Sequence, residues 1–146
     1  MKTKTFLLLC LFLGIGLTQL SAQTLNKGSV LAVSSYATIV LNPDVTMNQY
    51  VDWCIKRYIP EFEKAYPGVK MFLMTGDRGE KKYQIGMIWY FESVAVRDKY
   101  WPVENDTTMS AAAKAAGEKL TKEIGKEASK YVIGGSERIF TDWIIK

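Results

Sequence analysis

The stretch from Tyr83 to Glu92 alternates between two kinds of side chain, and this alternation limits the folds open to the chain. Every second residue from Ile85 to Phe91 is large and apolar. Alternate side chains of a β-strand point to opposite faces, so one face of this strand suits a dry core. The other face is mixed, with Gln84, Gly86, Ile88, Tyr90 and Glu92. The pattern predicts an antiparallel sheet that is covered by helices on one side only.

Strand and helix patterns follow one another in the order β-α-β-β-α-β. Strands are predicted at residues 30–41, 69–77, 83–92 and 137–146, with a break at the paired glycines of residues 132–136. A capping box of Thr46 and Gln49 begins a helix that reaches Tyr66, and Pro60 kinks or splits it. Ser93 caps a short helix, and residues 109–130 form the second long helix. This order predicts an α+β domain with the ferredoxin-like fold and both helices on one face of the sheet.

The same period of two assigns the other strands to a face. The residues predicted to face the helices are Leu31, Val33, Ala37, Ile39, Ile139, Trp143 and Ile145. The open face then gains Tyr36, Phe72, Met74, Arg138 and Phe140. An apolar patch with a few polar groups is typical of a small-molecule cavity, and a large exposed apolar patch is also typical of a face buried against a second copy.

Six residues are candidate ligand contacts: Tyr36, Gln84, Tyr90, Trp101, Arg138 and Phe140. The polar members fit a dimer interface as well as a cavity, because tyrosine and arginine favour interfaces. Trp101 either closes one mouth of the cavity or packs the short helix on the sheet, as large aromatic side chains do. The pattern identifies no catalytic residue and no metal ligand set.

The charged residues after the third strand are weaker candidates for a functional site. Glu92 is either an acid or base with a shifted pKa or a solvated group beside a helix start. Arg97 and Asp98 are neighbours on a short helix, so they are predicted to point apart and to lie on its outer surface.

The first 22 residues predict a secretory signal peptide, with Lys2 and Lys4 before an apolar run and small residues at Ser21 and Ala22. Residues 23–146 then form a single domain that is secreted or periplasmic; the alternative is an uncleaved N-terminal anchor. No other apolar stretch is long enough to span a membrane.

Cys54 is the one cysteine of the mature chain. It is interpreted as a small buried hydrophobe on the apolar stripe of the first helix, which also holds Met47 and Ile55. The alternative is a reactive thiol.

Composition excludes several kinds of site. The chain has no histidine, which removes Ser-His-Asp and Cys-His catalysis and the commonest metal and haem ligand. A single cysteine cannot build a thiolate zinc site. Loss of Lys2 and Lys4 lowers the net charge from +4 to +2, which is too small for a nucleic-acid footprint. We therefore expect no cofactor, no metal and no nucleic-acid partner.

The element order, the strand ending in Phe91-Glu92-Ser93 and the following short helix with Trp101-Pro102 resemble the dimeric α/β-barrel superfamily. That superfamily includes cofactor-free antibiotic-biosynthesis monooxygenases, EthD proteins, NIPSNAP-like proteins and muconolactone isomerases. The resemblance implies a homodimer whose sheets pack into a barrel around a small hydrophobic or aromatic molecule. It does not carry over haem degradation or chlorite dismutation, because the histidines of those branches are absent.

Three functions fit these observations. The first is a secreted homodimer that binds a small hydrophobic or aromatic molecule in the sheet cavity. The second is a cofactor-independent monooxygenase or isomerase of the same superfamily, for which the sequence shows no nucleophile–base pair. The third is a non-catalytic protein-interaction module.

Overall fold

The computed structural model describes residues 25–36, 39–82, 84–102, 109–135 and 138–146. The strands are β1 (Val30–Tyr36), β2 (Ile39–Leu41), β3 (Val69–Thr75), β4 (Ile85–Phe91), β5 (Val132–Gly135) and β6 (Arg138–Ile144). The helices are α1 (Met47–Trp53), α2 (Ile59–Ala65), α3 (Val94–Tyr100) and α4 (Ala111–Ala128), with a π-helical turn at Cys54–Tyr58 between α1 and α2. The predicted signal peptide lies outside the described residues.

Four strands form an antiparallel sheet in the order β3-β4-β1-β6. The first and last strands of the fold are neighbours, and helices connect β2 to β3 and β4 to β5. This is the ferredoxin-like arrangement, so the predicted fold class is confirmed. Within the described ranges, no helix is long and apolar enough to cross a membrane.

The predicted first strand is divided, and its second part belongs to a separate two-stranded sheet of β2 and β5. The prediction of a break at residues 132–136 is wrong for Val132–Gly135, which forms β5. Ile39 and Val40 pair with Gly135 and Gly134, and the space around Gly134 is open. Glycine is unusual in a strand, but here it lies on an exposed ribbon where no packing is lost.

Thr46 begins α1 as the capping box predicts. The Thr46 backbone N–H donates to Oε1 of Gln49 over 2.8 Å, and the Gln49 N–H donates to Oγ1 of Thr46 over 3.3 Å. These two bonds satisfy donors that a helix start otherwise leaves unpaired. Ser93 caps α3 by the same means, accepting the Val96 N–H over 3.2 Å.

The predicted disturbance at Pro60 takes the form of the π-helical turn. The Ile59 N–H donates to the carbonyl of Cys54, five residues earlier, and Pro60 has no N–H to donate. The wider turn changes which side chains are buried. Trp53 is buried, whereas Met47 and Ile55, which α-helical spacing predicts on the apolar stripe, are exposed.

The sheet face toward the helices holds the core. The prediction for β4 is confirmed, because Ile85, Met87, Trp89 and Phe91 are all buried among helix side chains. The prediction for β1 is wrong, since the buried residues are Val30, Ala32 and Ser34. They lie directly opposite Phe91, Trp89 and Met87, and residues that are directly opposite share a face.

The face assignment of β6 is reversed as well. Trp143 lies opposite Leu31 and Asp142 lies opposite Ala32, so Trp143 is on the open face and Asp142 is on the helix side. Ala37 lies outside the described residues, as does the side chain of Ile139. Ile39 packs against the core, as predicted.

A glutamate from α2 covers part of the edge strand β3. Oε1 of Glu63 accepts the backbone N–H of Met71 over 3.1 Å, and Oε2 accepts Nζ of Lys70 over 2.8 Å. An edge strand presents unpaired backbone groups, and side chains from a neighbouring element are one way to cover them.

Candidate functional site

The sheet surface opposite the helices is the candidate site, and we call it the open sheet face. It consists of Leu31, Val33, Lys70, Phe72, Met74, Ile88, Tyr90, Thr141 and Trp143. Strand pairing arranges them in rows, and one row runs Lys70, Tyr90, Leu31, Trp143. The next row runs Phe72, Ile88, Val33, Thr141. Apolar side chains therefore cross all four strands, and none of the helices among the described residues lies above them.

The two ends of this surface are the most exposed. Phe72, on the edge strand β3, is 42% exposed, and Trp143, on the opposite edge strand β6, is 60% exposed. Aromatic side chains bury the largest areas when they are covered, so these two have the most to gain from a partner. Sequence reasoning missed Trp143, because both parities of β6 carry apolar residues and neither marks the covered face.

Tyr90 lies inside the open sheet face rather than at its edge. It is 7% exposed, between Lys70 on one side and Leu31 on the other. Within the part of the chain that the structure describes, its hydroxyl makes no hydrogen bond. Tyrosine hydroxyls that become buried usually find a partner, so this group is a free polar contact on an apolar surface.

Gln84 is on the same parity as Tyr90 but at the far end of the strand. Six residues separate them, which is about 20 Å along a strand. The Gln84 backbone joins the loop between β3 and β4, donating to the Lys81 carbonyl and accepting the Gly76 N–H. Its side-chain Oε1 is buried without a hydrogen-bond partner among the described residues. The structure does not bring these two predicted contacts together.

Trp101 lies on the helix side of the sheet. Its ring stacks on Tyr66 at 5.5 Å and on Trp89 at 6.1 Å between centroids, and it meets Phe91 edge-on at 5.8 Å. The sheet separates it from Tyr90, so it does not close a cavity on the open face. Of the two interpretations of Trp101, the structure shows the packing one.

The side chains of the other three predicted contacts, Tyr36, Arg138 and Phe140, lie outside the described part of the structure. Their backbone pairing is described: Tyr36 lies opposite Arg138, and Phe140 lies opposite Ser34. Their assignment as ligand contacts stays a prediction.

Arg97 and Asp98 do face each other, contrary to the prediction. Nε of Arg97 donates to Oδ1 of Asp98 over 2.8 Å, and Nη1 donates to Oδ2 of Asp142 over 3.0 Å. Burial opposes the charged form, but the bonds to the two carboxylates outweigh it and raise the pKa of Arg97. The cluster ties α3 to β6, and its donors and acceptors are used within the fold. Glu92 is exposed at the start of this segment.

Comparisons with known proteins find similarity at the level of the fold. No protein-family model matches the sequence, and no curated protein matches it significantly. Similar solved structures include an uncharacterized NIPSNAP-like domain protein from Burkholderia xenovorans, with 9% identity over 83% of this chain and 88% of that chain and a TM-score of 0.50. The fold is ferredoxin-like.

Two further solved structures are more distant in shape. One is a dimeric protein of unknown function and ferredoxin-like fold from Bacteroides fragilis, with 13% identity, 82% and 98% coverage and a TM-score of 0.37. The other is an EthD family protein from Bacillus halodurans, with 16% identity, 79% and 96% coverage and a TM-score of 0.38. The NIPSNAP-like group is among those that the sequence resembles, and an identity as low as 9% shows likeness of fold alone.

Proposed function

We propose that the chain forms a homodimer through its open sheet face and binds a small hydrophobic or aromatic molecule between the two sheets. The observation that carries the proposal is the apolar surface across β3, β4, β1 and β6, which none of the described helices covers. Monomeric soluble proteins rarely expose a contiguous apolar patch of more than a few hundred Å². A covering partner removes that exposure.

A second copy is the partner that fits this surface. The open sheet face is nearly free of charge in its described part, with Lys70 at one edge already paired with Glu63. A two-fold axis through the face lays apolar rows on apolar rows, which is the self-complementary contact of an isologous dimer. The resemblance to dimeric α/β barrels supports the same assembly.

The ligand class follows from the groups on that face. Leu31, Val33, Ile88 and Phe72 supply apolar walls, and the Tyr90 hydroxyl supplies one polar contact without a partner of its own. Small-molecule sites are usually built in this proportion, with many apolar groups and few polar ones. An aromatic or hydrophobic molecule with one hydrogen-bonding group matches it.

The place of action completes the proposal. Residues 1–22 carry the charge, apolar run and small residues of a secretory signal, so we propose that residues 23–146 act in the periplasm or outside the cell. N-terminal sequencing of the exported protein tests this part. A mature chain that retains Met1 contradicts it.

Light scattering after size exclusion tests the dimer. Phe72→Asp places a charge on the open sheet face and is expected to give a monomer, because an unpaired charge cannot be buried cheaply. Ile133→Asp is the matched control, since Ile133 is 62% exposed but lies on β5, away from the four-stranded sheet. The wild type and Ile133→Asp are expected to be dimers. A monomeric wild type overturns the dimer.

Fluorescence of the neutral aromatic probe N-phenyl-1-naphthylamine tests the ligand site. The dimer is expected to enhance probe emission saturably, and Tyr90→Phe, which removes the hydroxyl and keeps the ring, is expected to raise the apparent Kd while leaving the dimer intact. A dimer that binds no probe overturns the ligand site but keeps the interface, and it then favours a protein-interaction role. Probe binding that is unaltered in Phe72→Asp contradicts a site between the sheets.

A further inference from the structure

The two edges of the four-stranded sheet differ in how their outward backbone groups are used. On the outer edge of β3, the Val69 N–H donates to the Tyr66 carbonyl and the Met71 N–H donates to Oε1 of Glu63, both over 3.1 Å. The first half of that edge is therefore occupied by groups of the same chain. Among the residues that the structure describes, no equivalent contact reaches the outer edge of β6.

Alternate backbone groups of β6 point away from the sheet. The Ile145 N–H donates to the Ser29 carbonyl, so it points toward the β1 side. Successive N–H groups of a strand point to opposite sides, so the N–H of Trp143 also points toward β1, and those of Asp142 and Ile144 point outward. The outer edge of β6 is thus a row of backbone donors and acceptors available to another strand.

Several devices that block an open edge are absent from β6. The strand is seven residues long, keeps one register with β1 over all its pairs and contains no proline. Its carboxylate, on Asp142, is bonded to Arg97 on the helix side. Trp143 and Ile144 are 60% and 44% exposed, so apolar side chains accompany the outward backbone groups. A long, regular and apolar edge favours pairing with another strand.

The homodimer proposed above offers two strands for this pairing, because only β3 and β6 are edges of the four-stranded sheet. Pairing with β3 of the partner is disfavoured, since the Val69 and Met71 donors on that edge are already used. Pairing with β6 of the partner meets no such obstacle. Trp143 also belongs to the open sheet face, so one two-fold axis brings together both the faces and the β6 edges.

We propose that β6 pairs antiparallel with β6 of a second copy, so that the eight strands of the homodimer form one curved sheet around the ligand. The strand order is then β3-β4-β1-β6 in one copy, continued by the partner in reverse. This inference rests on the proposed homodimer and adds where its two sheets join.

Amide hydrogen exchange on the ¹⁵N-labelled protein tests the pairing, because exchange slows where an N–H is hydrogen-bonded. The Asp142 and Ile144 amides are expected to exchange at least about a hundredfold more slowly in the wild-type dimer than in monomeric Phe72→Asp. The Trp143 amide, which points toward β1, is expected to be protected in both proteins. The Thr75 amide, on the outer edge of β3, is expected to be protected in neither.

Proline substitutions on the two edges are the matched variants. Ile144→Pro removes an outward N–H that β1 does not use, so the fold is expected to stand while the dissociation constant of the dimer rises at least about tenfold. Thr75→Pro makes the same change on β3, where the next N–H, that of Gly76, points inward to the Gln84 carbonyl. It is expected to leave the dissociation constant within about threefold of the wild-type value.

The outcomes separate the strand pairing from the dimer itself. A wild-type dimer whose Asp142 and Ile144 amides exchange as fast as in Phe72→Asp overturns the pairing and leaves the dimer standing. Equal protection of these amides in the two proteins, or equal effects of the two proline variants, also overturns the pairing. A monomeric wild type overturns both proposals. If Ile144→Pro does not fold, the exchange comparison decides.

Discussion

Single side chains on the helix side of the sheet are matched by size across the strands. Ala32 lies opposite Trp89 and Ser34 lies opposite Met87, so a small residue stands beside each of these two large ones. Close packing requires such matching, since the volume under the helices is fixed. A short alternating strand with apolar residues on both parities does not reveal which parity is the small, covered one. This is why the sequence predicts the buried face of β4 correctly and that of β1 wrongly.

Cys54 is the residue whose chemistry depends most clearly on its surroundings. It is fully buried at the start of the π-helical turn, which confirms its interpretation as a small hydrophobe. Burial raises the pKa of the thiol above its usual value of 9.0, although a hydrogen bond with Tyr50 opposes the shift. A thiol in this state is a poor nucleophile.

The raised pKa of Cys54 predicts a loss of stability at alkaline pH. Below about pH 9 the thiol is protonated in both the folded and the unfolded chain, so it adds no pH dependence. Above the unfolded value of 9.0 the unfolded chain releases its proton first, and the free energy of unfolding falls until the pH passes the folded pKa. Urea unfolding is expected to show a steeper alkaline decline for the wild type than for Cys54→Ala. Parallel declines contradict the prediction.

At the level of elements, the π-helical turn keeps one aromatic face along α1 and α2. Tyr58 meets Trp53 at 5.8 Å although five residues separate them, whereas the next pair, Phe62 and Tyr58, is four residues apart. In a regular helix, neighbours on one face are three or four residues apart. Sequence spacing therefore identifies Phe62 and Tyr66 but misses Trp53, because nothing in the spacing marks where a turn widens.

This geometry predicts that one residue can be removed from the π-helical turn without loss of the fold. Deletion of the exposed Lys56, together with Pro60→Ala to restore a backbone donor, turns the five-residue step into a four-residue step and keeps both flanking faces. Deletion of the exposed Lys122 in α4 is the control. It rotates the buried Ile124 off the core and is expected to cost about 2–5 kcal/mol. Urea unfolding measures both, and an equal loss in the two variants contradicts the interpretation.

For the whole molecule, the order of elements could be predicted because each strand and helix carries its own local signal. The site could be predicted only in part. Tyr90 is on the open sheet face as predicted, and Trp101 is on the other side because its ring completes the stack of Tyr66 and Trp89. An aromatic residue near a loop can pack on either side of the sheet. The side it takes depends on contacts with residues distant in sequence, and the local sequence pattern does not reveal those contacts.

A dimer that buries the open sheet face links thermal stability to concentration. The Tm of the wild type is expected to rise by roughly 3–6 °C for each tenfold increase in protein concentration, because dissociation accompanies unfolding. The Tm of Phe72→Asp is expected to be independent of concentration. Differential scanning fluorimetry over a dilution series measures both, and a concentration-independent Tm in the wild type contradicts the coupling.

The contact between Glu63 and the Met71 N–H has a consequence for how this chain behaves when crowded. Edge strands are templates on which further chains can add, which is the first step of fibril growth and of strand exchange between molecules. On β3, an incoming strand has to displace a carboxylate that already holds the backbone donor and the Lys70 amine. Growth of a cross-β array from that edge is thereby opposed, so a chain with a wide apolar sheet surface is protected from polymerising along β3.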